Sequence, residues 1–227
     1  MKNYKIDYSN EPHDELVLIK TSGSFNTWRI FFDTFEHEDE RVTETREFIE
    51  KVMVEKEDID PETGEVTKYE VEEDVIVEKE VTTRVYESKY VDIVKHKDEV
   101  FTALSAIKEL TVKEIDLYDT SDEVNCFLLN GNKVWLDKST RVGLMNSTTI
   151  QKQASDLTET TLWLGTVPIT INCDLAIHLL MQLELYALDC FNKTAEHKKN
   201  VQNLETIKEV AEYDYTIGYP EKLDLKL

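Results

Sequence analysis

A period-two alternation of apolar and charged residues runs through residues 69–85 and constrains the fold of this chain more than any other feature. The odd-numbered positions carry an apolar set, interrupted by Glu73, Lys79 and Thr83: Tyr69, Val71, Val75, Val77, Val81 and Val85. Most even-numbered positions are charged: Glu70, Glu72, Asp74, Glu78, Glu80 and Arg84. Because successive side chains of a strand point to opposite faces, this period predicts one long β-strand with an apolar face and an acidic face.

A shorter partner strand is expected before this one, because Phe48, Val52 and Val54 lie in a second β-type segment. The intervening residues 58–65 contain the Asp, Pro and Gly that favour a turn. Together these segments predict a long, acidic β-hairpin arm over about residues 46–90.

The apolar face of this arm requires a covering partner, because a two-stranded ribbon is not stable alone in water. Another sheet, the core of the same domain or a neighbouring subunit could supply it, and Val75, Val77 and Val81 are the candidate contact residues. An ordinary half-buried sheet with a solvated acidic face is the alternative interpretation. A disordered acidic linker is disfavoured, since the alternation of β-branched residues is too regular.

The rest of the first half predicts two further strands and one helix. Residues 16–19 and 28–32 are β-type runs on either side of a turn at 22–24. Residues 97–117 are expected to be helical, with Asp98 as the N-cap. The apolar positions that share a face of this helix are Val100, Ala103, Leu104, Ile107 and Leu110.

The second half predicts two hairpins and about three helices, after a domain boundary in the loop at 119–122 that separates residues 1–122 from 123–227. The predicted hairpins join 126–129 to 133–136 through Asn130-Gly131, and 161–164 to 167–171 through Gly165. The first predicted helix begins at Asp137 or Ser139 and ends at Ala154, and the second covers residues 175–191 with Asp174 as its cap. A third runs from Thr194 to Leu204, and a short helical piece covers residues 207–211. The expected fold class is α+β, with a β-rich N-terminal region and a small C-terminal domain of short hairpins packed by helices.

The net charge of the chain disfavours nucleic acids and anionic membranes as partners. The 47 acidic residues outnumber the 26 basic ones, for a net charge of −21, which repels nucleic-acid backbones and anionic lipid surfaces.

The three cysteines, Cys126, Cys173 and Cys190, are widely separated and indicate synthesis in a reducing compartment. Residues 1–10 are polar, so we expect no secretory signal there. The apolar run 175–191 contains polar interruptions that favour a core helix over a membrane span.

Motifs for catalysis or cofactor binding are absent from the sequence. It contains no phosphate-binding glycine loop, dinucleotide fingerprint, zinc-protease motif or nucleophile elbow. His178 lies near Cys173, but two ligands do not complete a zinc site, and a hydrogen-bonded core histidine is favoured. Asp58, Asp60 and Glu62 have the spacing of the start of a calcium loop without its later glycine and glutamate. We therefore expect no enzyme, no cofactor and no metal.

Six aromatic residues form the remaining candidate site: Trp135, Trp163, Tyr186, Tyr213, Tyr215 and Tyr219. One interpretation is a platform that binds sugar or peptide, since aromatic rings provide large, rigid contact areas. The other is packing, with the tryptophans in hairpin strands and the tyrosines attaching a C-terminal turn over 213–220 to the domain. In this turn, Tyr213, Tyr215 and Tyr219 are the candidate protein contacts.

The motifs of residues 125–223 are distinctive in combination: Asn130-Gly131 with Val134-Trp135-Leu136-Asp137, Thr161-Leu162-Trp163, Leu183-Glu184-Leu185-Tyr186-Ala187, and the close from Tyr213-Asp214-Tyr215 to Tyr219-Pro220-Glu221-Lys222-Leu223. In this order they resemble an uncharacterised C-terminal domain family of phage and prophage proteins encoded near tail or fibre genes, as in gut bacterial (crAss-like) phages. The family offers no catalytic residues to transfer.

The resemblance implies a non-enzymatic virion protein of the tail, collar or fibre-attachment region, assembled in the bacterial host cytoplasm. Its expected partners are other virion proteins and further copies of itself, through the arm. The alternative is a fibre-assembly chaperone that is absent from mature particles, for which high net charge would aid solubility. An enzyme is the third and least favoured class.

Overall fold

A computed structural model describes residues 4–37, 42–62, 64–154, 158–164 and 166–226. The chain divides into two compact units, residues 1–99 and 100–227. Its strands and helices together confirm the predicted α+β class, with the strands concentrated in the first unit.

The first unit contains a four-stranded antiparallel sheet with strand order β1-β6-β3-β2. Its strands are β1 (Lys5–Ser9), β2 (Leu16–Ser22), β3 (Phe25–Glu36) and β6 (Tyr86–His96). β2 and β3 form the predicted hairpin, whose turn places Gly23 at φ 58°, a conformation that favours glycine.

A small core and the ion pair between Arg29 and Asp92 contribute to the stability of this sheet. Ile30, Phe31 and Ile93 are buried on its two central strands. Arg29 on β3 donates hydrogen bonds of 2.7 and 3.2 Å to the two carboxylate oxygens of Asp92 on β6. These bonds, more than the charge alone, hold the pKa of Asp92 below its usual range.

The partner strand of the arm is longer than the sequence predicted. β4 (Val42–Ile59) and β5 (Val66–Thr83) each have 18 residues and form a separate two-stranded antiparallel sheet. Their pairing runs without interruption from Val42 opposite Thr83 to Ile59 opposite Val66. The partner strand was therefore predicted too short, because its charged first residues do not look like a strand in isolation.

The boundaries of the arm also differ from the predicted range 46–90. Val85 lies outside β5, and its carbonyl accepts a 2.8 Å hydrogen bond from the backbone N–H of His37. Residues 86–90 belong to β6, because they pair with β1 and β3 instead of with the arm. At the other end, Asp60 caps the turn by accepting the N–H of Glu62 at 2.9 Å, while Thr63 lies outside the described residues.

The second unit begins with α1 (Ala103–Asp119), and two predictions about this helix were wrong. Thr102, not Asp98, is the N-cap, because its hydroxyl accepts the N–H of Ser105 at 3.1 Å and the Ser105 hydroxyl accepts the N–H of Thr102 at 2.9 Å. Val100 precedes the helix and is 98% exposed, so it does not share the buried face.

The boundary between the units lies before α1 instead of at the loop 119–122. The reason is that α1 packs along a later helix of the same unit. The hydroxyl of Thr194 donates to the carboxylate of Asp119 at 2.6 Å, and the Nζ of Lys108 donates to the carbonyl of Gln202 at 2.8 Å.

The Asn-Gly hairpin was predicted correctly. β7 (Phe127–Leu129) and β8 (Asn132–Val134) pair around Asn130 and Gly131, whose φ angles are 49° and 80°. Two successive positive φ angles are typical of the tight hairpin turn that this dipeptide favours. A short parallel strand, β11 (Asp224–Leu225), adds the end of the chain to β7.

The helix α2 (Lys138–Ala154) follows the hairpin and is capped by Asp137 instead of Ser139. The Asp137 carboxylate accepts the backbone N–H of Thr140 at 2.9 Å, while Ser139 donates its hydroxyl to Asp137 at 2.7 Å. These hydrogen bonds hold the pKa of Asp137 well below its usual range. The next hairpin pairs β9 (Glu159–Leu164) with β10 (Val167–Asn172), and the predicted turn residue Gly165 lies outside the described residues.

One long helix replaces two predicted ones. α3 (Cys173–Asn203) has 31 residues. Its N-cap is Asn172, whose side chain accepts the N–H of Asp174, so Asp174 is not the cap. Thr194 lies inside this helix, on a buried side that continues beyond it. Its hydroxyl donates a hydrogen bond to Asp119, and Thr194 therefore does not cap a new helix. The short helix α4 (Ile207–Glu212) was predicted correctly.

The core of the second unit lies between α3 and the short strands. Phe127 is completely buried there, and side chains from the hairpins and the α3 face surround it. The principal members of this core are Val124, Leu129, Leu136, Leu162, Leu164, Ala176, Leu180, Leu183 and Tyr186. The hydroxyl of Tyr186 donates to the carbonyl of Cys126 at 3.0 Å, which satisfies the phenol within the core.

Candidate functional site

The two faces of the β4–β5 ribbon differ in chemistry. The apolar face consists of the even-numbered residues of β4 and the odd-numbered residues of β5, and the acidic face consists of the others. Val75, Val77 and Val81 all lie on the apolar face, as predicted. Val75 is exposed, while Val77 and Val81 are half-buried.

An apolar band occupies the middle of the apolar face, and it is interrupted by Glu50 opposite Val75 and by Glu73 opposite Val52. Phe48 lies directly opposite Val77, and Val54 lies directly opposite Val71. The remaining members of this band are Val52 and Val75. Its side chains are half-buried to exposed, because the described residues of β4 and β5 pair only with each other.

The charges of the apolar face are paired within the ribbon. Lys79 is paired with Glu50, and Lys56 is paired with Glu73. The hydrogen bond that Lys56 donates to Glu73 raises the pKa of Lys56. In all, four carboxylates and three cations lie on this face: Glu44, Glu50, Asp58 and Glu73 with Arg46, Lys56 and Lys79.

The acidic face carries a much larger excess of negative charge. Only two lysines, Lys51 and Lys68, lie among its eight carboxylates: Glu47, Glu55, Glu57, Glu70, Glu72, Asp74, Glu78 and Glu80. Lys68 is 3.0 Å from carboxylate oxygens of both Glu55 and Glu57. The ribbon is thus nearly neutral and apolar on one face and strongly anionic on the other.

The predicted tyrosine contacts pack against their own unit. Tyr215 is buried, while Tyr213 and Tyr219 are half-buried. The Tyr219 hydroxyl lies 3.0 Å from that of Thr194, and the Tyr118 ring packs edge-on against both Tyr215 and Tyr219. Burial raises the pKa of Tyr215 and of Tyr219.

His197 on α3 ties the C-terminal turn to the helix. Its Nδ1 lies 2.7 Å from the hydroxyl of Tyr213, and its Nε2 lies 2.9 Å from the carbonyl oxygen of Ile217. The next residue, Gly218, has φ 78°. This placement agrees with the packing interpretation of the tyrosines, and it leaves Asp214 and residues 216–218 as the exposed part of the turn.

The two tryptophans of the candidate aromatic set differ in exposure. Trp135 is half-buried and packs against the core, as predicted. Trp163 was predicted to pack in the same way but is exposed, because the alternation of β9 directs Leu162 and Leu164 inward instead.

A cleft of about 420 Å³ between the start of α2 and the middle of α3 was not predicted. At its base, the Nε of Arg141 donates to Glu184 at 2.7 Å and the Nη1 donates to the carbonyl of Leu136 at 2.6 Å. The guanidinium carbon also lies 5.3 Å from the centre of the Trp135 ring. No local motif in the sequence signals this cleft, since Arg141 and Glu184 come from different helices.

The outer side of α3 beside this cleft is also apolar. The exposed residues Met181, Leu185 and Leu188 lie on the side of the helix opposite the core residue Leu183, and Phe191 is exposed at the edge of this side. An exposed apolar stripe of this kind on a helix is typical of a protein-contact surface.

The candidate metal ligands do not come together. Cys173 is buried at the start of α3, whereas His178 is exposed one turn later. Within the described ranges, no group of three or more His, Cys, Asp or Glu side chains is placed to hold a metal ion. None of the helices in the described part of the chain has the length and apolarity of a membrane span.

Comparison of the chain with protein-family models, curated proteins and solved structures finds no match. The candidate sites are therefore defined by their own chemistry: the apolar face of the ribbon, the outer side of α3 with its cleft, and the exposed part of the C-terminal turn.

Proposed function

We propose that this chain is a structural protein that acts through protein–protein contacts made by the apolar face of its β4–β5 ribbon. One observation carries the proposal: an apolar band lies on a hairpin whose two strands have 18 residues each, and no other strand among the described residues pairs with that hairpin. A ribbon with an uncovered apolar face gains stability when a partner covers it, because burial removes apolar surface from water.

The charge distribution supports the same role. The acidic face is suited to solvent, since eight carboxylates against two lysines keep it hydrated, whereas the paired ions of the apolar face can approach another protein at lower desolvation cost. The exposed apolar side chains of α3, including Leu185 and Phe191, provide a second surface for contacts in an assembly.

The proposed setting is a phage particle, where the protein would be a component of the tail, collar or fibre-attachment region. This part of the proposal is supported by the resemblance of residues 125–223 to the phage domain family. The proposed partners are other virion proteins and further copies of this chain, and no catalytic role is assigned.

Quantitative mass spectrometry of purified, nuclease-treated particles, beside the lysate of infected cells, tests this function. A fixed copy number in the particle is expected for a structural component. Abundance in the lysate with none in the particle would overturn the proposal in favour of the fibre-assembly chaperone. Absence from both samples would also overturn the phage setting.

A further inference from the structure

We infer that the partner of the ribbon's apolar face is the same face of a second copy of this chain, so that two ribbons pack face to face in a symmetric dimer. This inference rests on the proposed function as a contact protein and names the partner.

The charge of the two faces permits self-association through only one of them. The apolar face has a net charge of −1, so two copies brought together repel each other little. The acidic face has a net charge of −6, and stacking two such faces would bring like charges together at close range. A face-to-face dimer through the apolar side leaves both acidic faces in solvent.

The residues of the apolar face are also related to one another by an approximate two-fold symmetry. An approximate two-fold axis through the centre of the ribbon exchanges its strands, placing Glu50 on Glu73 and Lys56 on Lys79. The two ion pairs, Lys79 with Glu50 and Lys56 with Glu73, are therefore equivalent under this axis. A second copy meets the same apolar band in either direction along the ribbon, with the same two carboxylates inside the band and the same two lysines at its ends.

The apolar band itself follows the same axis. The exchange places Val52 on Val75 and Val54 on Val77. It also places Phe48 on Val71, so apolar residues are exchanged for apolar residues throughout the band. A two-fold dimer requires a self-complementary patch, and this face provides one.

The area is sufficient for a specific contact. A strand of 18 residues extends about 60 Å at roughly 3.3 Å per residue. With a ribbon width of roughly 10 Å, each copy covers about 600 Å², and the pair about 1,200 Å², which reaches the lower end of stable protein interfaces. An interface of this size is compatible with a dimer that forms by itself and is strengthened in a larger assembly.

Two matched double variants of the full-length chain test the inference by sedimentation or light scattering. Phe48→Glu with Val77→Glu changes a directly opposed pair on the apolar face, and Ile49→Glu with Ile76→Glu changes the adjacent opposed pair on the acidic face. Both variants add the same charge. In the free chain, Phe48 is 39% exposed and Ile49 is 74% exposed. If surface hydrophobicity alone drove association, the Ile49/Ile76 variant would therefore show the larger effect.

The expected result is a dimer for the natural chain and for the Ile49/Ile76 variant, and a dissociation constant raised roughly 100-fold or more in the Phe48/Val77 variant, because buried carboxylates lose hydration. A monomeric natural chain would overturn the inference, as would equal effects of the two variants. A dimer that survives the Phe48/Val77 change would overturn it too.

A milder pair of variants guards against loss of the ribbon itself. Val75→Thr with Val77→Thr keeps β-branched side chains, and Ile76→Thr is its control on the other face. Weaker dimerisation in the first with unchanged circular dichroism is expected, and no difference from the control would overturn the inference. If the dimer forms as expected but particles contain none of the chain, the proposed virion role fails while this inference stands.

Discussion

His197 and Tyr213 are joined by a hydrogen bond of 2.7 Å between the imidazole Nδ1 and the phenol oxygen. The opposite nitrogen, Nε2, lies 2.9 Å from the carbonyl of Ile217, which can only accept a hydrogen bond. Nε2 therefore carries the proton of the neutral ring, and the Tyr213 hydroxyl donates to Nδ1. This arrangement binds the C-terminal turn to α3 with the histidine uncharged.

The neutral state of His197 predicts a loss of stability at mildly acidic pH. Burial, the largest cause, lowers the pKa of His197 below its ordinary value of 6.5. As the pH falls through this ordinary value, the unfolded chain binds the proton before the folded chain, so the free energy of unfolding decreases by at most about 1.4 kcal/mol per pH unit until the folded pKa is reached.

Thermal unfolding at several pH values checks this prediction, with His197→Gln as the control because its amide can supply a donor and an acceptor but does not titrate. Between about pH 7 and pH 5, the natural chain should lose more stability than the Gln variant. Parallel pH profiles for the two proteins would contradict the neutral assignment.

Two glycines of the second unit should respond oppositely to substitution by alanine. Gly218 has φ 78°, and a Cβ there would lie 2.5 Å from the Cε of Lys193, so Gly218→Ala should destabilise the chain by about 1 to 2 kcal/mol. Gly143 lies exposed in α2 with no atom within 4 Å of a Cβ, so Gly143→Ala should stabilise it by roughly 0.5 to 1 kcal/mol. Urea unfolding measures both, and a stable Gly218→Ala variant would show that the turn can adopt another backbone conformation.

Substitutions of Arg141 and of its partner Glu184, at the base of the cleft, should differ in their effect on stability. Its side chain is only 7% exposed, and it donates both to Glu184 and to the buried carbonyl of Leu136. Arg141→Met removes both bonds and leaves the carbonyl without this donor, so the expected loss is about 2 to 3 kcal/mol. Glu184→Gln keeps an acceptor oxygen at a side chain that is partly exposed, so it should cost less than about 1 kcal/mol. Equal losses in urea unfolding would assign the role to the ion pair instead of the carbonyl bond.

Features coded by neighbouring residues were predictable from the sequence. Asn130-Gly131 adopts the two positive φ angles that its turn requires, and the valines of β5 alternate as a strand with one apolar face. Both depend only on residues a few positions apart. The interpretation of Tyr213 as a packing residue was likewise accessible, whereas its partner His197 lies 16 residues earlier on another element.

Features set by distant contacts were not predictable in the same way. Thr194 resembles a helix cap in isolation, but Asp119, 75 residues earlier, accepts its hydroxyl and the helix continues. The cleft depends on Arg141 and Glu184, which are 43 residues apart. The start of β4 is rich in charge, and only its pairing with β5 identifies it as a strand. In each case tertiary packing overrides local preference.

The inferred dimer should become tighter as salt concentration increases. Its ion pairs lie within each ribbon, so screening does not remove bonds between copies, while the acidic faces, each with a net charge of −6, repel less when screened. The dissociation constant, measured by sedimentation at low and physiological salt, should fall several-fold. The Ile49→Glu with Ile76→Glu variant carries still more charge on the acidic face and should show the steeper dependence. A dimer that dissociates in salt would indicate ion pairs between copies.

Shortening the ribbon should remove association without unfolding the rest of the chain. Replacing residues 50–75 by Asn-Gly joins the opposed pair Ile49 and Ile76 and deletes most of the apolar band. The four-stranded sheet keeps its own strand order and its buried residues, so its thermal unfolding should not change. This variant should be monomeric and, if the chain is a virion component, should be missing from particles.

A shorter deletion is the matched control. Replacing residues 56–69 by Asn-Gly joins Glu55 to Glu70, which are also directly opposed, and keeps the band from Phe48 to Val54. This variant retains most of the apolar contact and should remain dimeric with a weaker dissociation constant, because the contact area decreases with ribbon length. If both deletions leave the oligomeric state and particle incorporation unchanged, the ribbon is a solvated hairpin and another surface, such as the outer side of α3, makes the contacts.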